Sequence, residues 1–284
     1  MPSLRWLRLF DPRSQRCVAV ALDHGLTGEP AEFRGLERFL DVVVAVANAA
    51  PDALLVSAGQ VKRLSDVSRR LPALIVRIDV TNAYQRPTPQ RIIDRLLDDA
   101  CTVALRADAA AVIVNLLRIP GHEEATTESV QAILAVRSLC EHYALPLIVE
   151  VMVLRPGPNA TLQPGASVEE LRGLVRLGVE LGADIIKVTP PDEREAFEEL
   201  CEVAGVPLLA LGGARGDAAT VLEQTATLVR HGASGVIFGR NVFQHSNPPG
   251  MVRALQAIVH RNATVEEALR CLTEESVVST GVDD

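Results

Sequence analysis

Lysine is nearly absent from this chain, and one of its two copies lies where a cation is costly. Of 28 basic residues, only Lys62 and Lys187 are lysine. Lys62 follows Ser57-Ala-Gly-Gln-Val61 at a predicted helix start, an ordinary place for a solvated charge. Lys187 stands between Ile186 and Val188 in Ala-Asp-Ile-Ile-Lys-Val-Thr (183–189), a short β-branched run of the kind that forms buried strands. Burial disfavours a charged side chain. An arginine would stay protonated there, whereas a buried lysine can shed its proton and act as a nucleophile. The competing assignment is a buried ion pair with Asp79 or Glu150.

Other polar residues fall at the ends of apolar runs. They are Asp23-His24-Gly25, Ser57, Asp79 to Asn82, Asn115, Met152 to Arg155, Gly212-Gly213-Ala214-Arg215 and Gly239-Arg240-Asn241. Alternation along a strand puts Ile185, Lys187 and Thr189 on one face, Ala21 and Asp23 on another, and Arg77, Asp79 and Thr81 on a third. Asp23 is equally readable as a turn or N-cap aspartate, His24 as a structural histidine, and Glu150 as a partner for Arg77 or Lys187. The two glycine turns are a sharper pair. Gly212-Gly213 lets backbone N–H groups approach an anion, Gly239 opens the next turn, and Arg215 and Arg240 supply charge. That is the pattern of a phosphate site at the end of a barrel. The remaining histidines (122, 142, 231, 245 and 260) share no ligand spacing, so no metal is expected. No cofactor is expected either.

The elements that must position these residues alternate along the chain. Apolar runs occur at 17–23, 53–57, 73–80, 109–117, 146–153, 183–189, 206–211 and 234–239, each greasy throughout, as strands buried on both faces are. Amphipathic stretches lie between them. Ser167-Val-Glu-Glu170 and Thr264-Val-Glu-Glu267 carry capping-box patterns. A strand–helix unit repeated eight times predicts an α/β fold, the (β/α)8 TIM barrel. A doubly wound open sheet is the alternative, but the first run lacks the G-x-G-x-x-G signature. A single domain over 1–284 is expected, with the barrel at about 17–262, a tail helix at about 264–275 and a frayed Ser-Thr-Gly-Val-Asp-Asp end. The formal charge of −8 argues against nucleic acid or an anionic membrane as partner. Five scattered cysteines, no apolar leader and no apolar run near 18 residues fit a reduced, cytoplasmic protein.

Together, Leu-Asp-His-Gly after the first run, Ala-Asp-Ile-Ile-Lys-Val-Thr at the sixth, Gly-Gly with a basic residue after the seventh and the stretch Gly-Arg-Asn-Val-Phe-Gln-His (239–245) resemble the archaeal-type (DhnA-like) class I fructose-bisphosphate aldolases. The wider group includes aminodideoxyheptulosonate synthases and the autoinducer-2-phosphate thiolase. The resemblance spans about 17–262. It implies that Lys187 forms the Schiff base, that Asp23 moves protons, and that His24, Arg155, Gly212, Gly213, Arg215, Gly239 and Arg240 bind substrate or its phosphate. It also implies a small phosphorylated sugar as substrate, no metal, and a homo-oligomer of five or ten subunits. The chain departs from the family at the fifth run, where Met-Tyr-Pro-Arg-Gly is replaced by Met152-Val153-Leu154-Arg155-Pro156-Gly157. Val153 has no proton to give. Glu150, Asp79 or a water held by Asp23 are the available substitutes. Acyl-transfer and transaldolase-type chemistry on a phosphorylated dicarbonyl, or a silent phosphosugar-binding module, stay open beside aldol cleavage.

Overall fold

Every one of the eight apolar runs forms a strand in the computed structural model, which describes residues 4–68, 70–158 and 161–273. They are β1 (Cys17–Ala21), β2 (Ala53–Ser57), β3 (Ala73–Arg77), β6 (Ala111–Arg118), β7 (Leu147–Gly157), β9 (Ile185–Val188), β10 (Leu208–Leu211) and β11 (Gly235–Phe238). Each pairs in parallel with the next in this order, and β11 returns to β1, so the sheet closes. Helices fill the connections. The fold is the expected (β/α)8 barrel.

Closure explains why the strands are apolar on both faces. Inward residues Ala19, Leu55, Ile75, Ile113, Ile148, Ile185, Leu209 and Ile237 form one buried cluster inside the barrel. Leu9 and Phe10 join this cluster and Trp6 packs against it, so the N-terminal segment plugs the barrel floor. The alternate residues, among them Val18, Leu54, Val76, Val114, Val149, Ile186 and Val236, pack outward with the helical layer. Fully burying such a side chain is worth about 1.5–3 kcal/mol. Polar groups at the other end of the barrel therefore stand on a dry, rigid floor.

Three short strands interrupt the regular alternation. β4 (Asp79–Thr81) and β5 (Asp94–Leu96) make an antiparallel hairpin after β3. β7 runs past the barrel rim, and its end pairs antiparallel with β8 (Thr161–Pro164). Both excursions rise at the C-terminal end of the barrel, where loops carry function. Both capping boxes form: Ser167 caps the helix Val168–Glu180 and Thr264 caps Val265–Arg270. The tail helix is shorter than the expected 264–275; residues 274 and 275 and the Ser-Thr-Gly-Val-Asp-Asp end lie outside the described residues. Among the described residues, no helix is long and apolar enough to cross a membrane.

Candidate active site

Asn115, Glu150 and Lys187 are register partners on three neighbouring strands, so their side chains share one inward layer. Lys187 is 6% exposed, and its Nζ lies 2.7 Å from Glu150 Oε1. The ion pair foreseen for Glu150 thus exists, and Glu150 serves both partners proposed for it. Arg77, the last residue of β3, reaches across the layer and binds the other Glu150 oxygen through Nη2. Its Nη1 donates to Asp79 Oδ1 at 3.2 Å and Asn115 Oδ1 at 2.8 Å, while Nε donates to Asp23 Oδ2 at 2.9 Å. One buried guanidinium fork therefore holds three carboxylates around the amine, a use its rigid planar donors suit. Burial pushes the Asp23 carboxyl up, but Arg77, then His24 and Lys187, outweigh it and hold the group below its ordinary value. Glu150 follows the same pattern, with Lys187 and Arg77 overcoming its burial.

Lys187 does not end in packed protein. Together with Asp23, Glu150 and Thr189 it lines a cavity of about 510 Å³ at the barrel mouth. The glycine turns form another wall. Gly212, Gly213, Gly239 and Arg240 all line the space. Gly213 has φ +63, the left-handed region that glycine enters at least cost. At Gly239 a Cβ would lie 2.2 Å from His24 Cε1, so the missing side chain is what lets the imidazole seat. His24 lines the cavity and meets Phe243 edge-on at 5.1 Å. Burial, then the charges of Lys187 and Arg240 against those of Asp23 and Glu150, lowers its pKa to about 4. It is neutral near pH 7.

Two basic residues expected at the site stand elsewhere. Arg155 is exposed, does not line the cavity, and bonds the Gly165 carbonyl at 3.0 Å and the Glu170 carboxylate. It ties the β7–β8 extension to the following helix. Arg215 is exposed and outside the cavity lining, because the chain turns outward after Ala214. The charge at the glycine turns comes from Arg240, whose Nη2 donates to the Gly213 carbonyl at 2.9 Å and Nη1 to Glu32 at 2.8 Å.

The strand-five departure also reads differently in three dimensions. Val153 is buried, packs outward with Val149 and Val151, and does not line the cavity. The inward residue at that height is Met152, one step above Glu150. Its Sδ accepts a hydrogen bond of 3.1 Å from the hydroxyl of Tyr84, which lies in the β4–β5 loop and lines the cavity. Tyr84 escaped the sequence reading because it sits in a polar loop, and Glu32 because it sits in a four-residue helix (Pro30–Phe33) too short to show periodicity. One signal was available: the chain has only two tyrosines.

Three buried side-chain polar atoms among the described residues have no hydrogen-bond partner: His24 Nδ1, Thr189 Oγ1 and Arg240 Nε. All three residues line this cavity. Orphaned buried polar groups are rare and call for a specific cause. Here a polar ligand would supply the partners. Among the described residues, no group of three or more His, Cys, Asp or Glu could hold a metal ion.

Comparison with known proteins gives the family and the same fold. A family model described as DeoC/LacD family aldolase matches residues 17–245. Similar relatives include the 2-amino-3,7-dideoxy-D-threo-hept-6-ulosonate synthase 1 of Archaeoglobus fulgidus, 30% identical over 90% of this chain and 91% of the relative. The 3-hydroxy-5-phosphonooxypentane-2,4-dione thiolase of Salmonella typhimurium is 28% identical over 95% of this chain and 86% of its own. Among solved structures, an archaeal fructose-1,6-bisphosphate aldolase with its catalytic lysine bound to the carbinolamine intermediate has a TM-score of 0.74 at 24% identity. That match covers 90% of this chain and 98% of the aldolase.

Proposed function

The chain belongs to the DeoC/LacD family of aldolases, and on that premise we propose that it is a metal-independent, Schiff-base-forming aldolase acting on a phosphorylated ketose or a related sugar phosphate. The observation that carries this reading is a buried lysine amine that opens into a polar cavity while touching a carboxylate at 2.7 Å. At rest the pair is ionic. When a carbonyl enters, the ammonium proton passes along this contact to Glu150, and the freed lone pair attacks the carbonyl carbon. Arg77 keeps Glu150 and Asp23 oriented throughout. Glu150 returns the ammonium proton to the carbinolamine hydroxyl, which leaves as water to give the iminium, and Asp23 takes the proton of the hydroxyl whose C–C bond is cleaved. The iminium draws in the electrons of that bond, leaving an enamine.

Gly212, Gly213, Gly239 and Arg240 bind the phosphate and so fix the carbonyl beside the amine, an orientation effect. The phosphate must displace Glu32 from Arg240, and it gives the orphaned Arg240 Nε a partner. Arg155 and Arg215 have no part in this scheme.

The thiolase relative favours a second reading, acyl transfer through the same lysine on a phosphorylated dicarbonyl. A panel of ketose phosphates and phosphorylated dicarbonyls, assayed with and without coenzyme A and with EDTA, separates the two. Substrate-dependent inactivation by borohydride and loss of turnover in folded Lys187→Arg are expected in either case. Full activity of Lys187→Arg would refute the role of the amine.

A further inference from the structure

The Schiff-base reading needs an acid to protonate the enamine carbon, and β7 itself carries no hydroxyl side chain. The side chain pointing inward there is Met152. We propose that Tyr84, delivered by the β4–β5 loop, is the catalytic proton donor to the enamine; this deepens the function proposed above and rests on it.

Placement is the first support. Glu150 and Met152 are successive inward residues of β7, about 6–7 Å apart along the strand. A substrate joined to Lys187 Nζ extends up from the Glu150–Lys187 layer toward the height at which the Tyr84 hydroxyl meets Met152 Sδ at 3.1 Å. A thioether is a weak acceptor, so that hydroxyl can be redirected to substrate at little cost. Construction of the loop is the second support. Ala83 is fully buried and packs with Met152, Leu154 and Leu162. Asn82 binds the far side of the loop through the Ile93 N–H at 2.8 Å and the Arg91 carbonyl at 3.0 Å. The Arg86 N–H donates to Glu29 at 2.9 Å. Tyr84 is thus carried by a braced segment, as a positioned acid must be. Burial, then the charges of Glu150, Asp23 and Glu32 against that of Arg77, push its pKa well up. Its proton is present throughout the neutral range.

The step balances. The hydroxyl proton of the cleaved bond goes to Asp23 as the C–C electrons form the enamine C=C. That C=C pair then bonds the Tyr84 proton, and the nitrogen lone pair restores the iminium. The phenolate recovers a proton from Asp23, through solvent, and water hydrolyses the iminium to release product.

The test compares wild type and Tyr84→Phe, using dihydroxyacetone phosphate and fructose 1,6-bisphosphate as probes. Two readouts are followed: borohydride trapping at Lys187, and incorporation of deuterium from D2O into the carbon next to the carbonyl. Tyr84→Phe should trap like wild type, which also shows that its site is folded. Its deuterium incorporation should fall about 100-fold or more, the usual scale of general acid catalysis. Exchange within a few-fold of wild type overturns the proposal, and so does a parallel loss of trapping and exchange, which marks a structural hydroxyl. If wild type traps neither probe, the underlying aldolase reading fails, and this inference with it.

Discussion

Lys187, Glu150 and Arg77 show how one basic side chain can be prepared for chemistry while another holds the frame. Arg77 contacts Asp23, Asp79 and Glu150, so the carboxylates around the amine keep a cationic partner and a fixed orientation even when the lysine gives up its proton. His24 beside them makes a pH prediction. Its pKa falls from 6.5 to about 4, chiefly through burial. Between those values the unfolded chain binds a proton that the folded chain refuses, so stability rises with pH across this window and is lost on acidification. The difference amounts to about 3 kcal/mol. Urea unfolding of His24→Gln, followed from pH 4 to 6.5, should give a curve flatter by up to that amount. An equally steep curve would remove His24 as the cause.

At the scale of elements, the glycine turns do more than leave room for an anion. Gly239 lies where a Cβ would strike the imidazole at 2.2 Å and crowd the Ala21 carbonyl oxygen at 3.1 Å. Gly239→Ala should therefore cost about 1–3 kcal/mol, the usual range for overpacking. His24→Ala in the same chain should recover part of that loss, a coupling that a thermal double-mutant cycle reads directly. Strict additivity would show that the two residues do not collide. The strands and the capped helices were legible in the sequence because each follows from short-range periodicity or a local hydrogen-bonding pattern. The loops were not. Arg155 and Arg215 follow the right strands but turn outward, and Tyr84 turns inward, because side-chain direction beyond the strand ends is set by tertiary packing. Val153 shows the same limit: its chain position matches a family tyrosine, yet strand alternation turns it into the helical shell.

For the whole molecule, the closed barrel separates stability from chemistry along one axis. Trp6, Leu9 and Phe10 meet the apolar floor, while the charged layer and the cavity occupy the opposite end. Leu9 is 1% exposed, and Leu9→Ala should lower stability by about 2–5 kcal/mol. Turnover measured where that variant is still folded should stay unchanged; a drop in kcat would show that the floor and the mouth are coupled. The composition of the chain also makes the decisive measurement simple, since it contains two lysines only. The protein is reduced with borohydride in the presence of a ketose phosphate, then digested, and its peptides are weighed. The mass of the reduced sugar phosphate should appear on the peptide carrying Lys187, with Lys62 unmodified. An adduct confined to Lys62, or none with any sugar phosphate that the protein turns over, would contradict the Schiff-base mechanism.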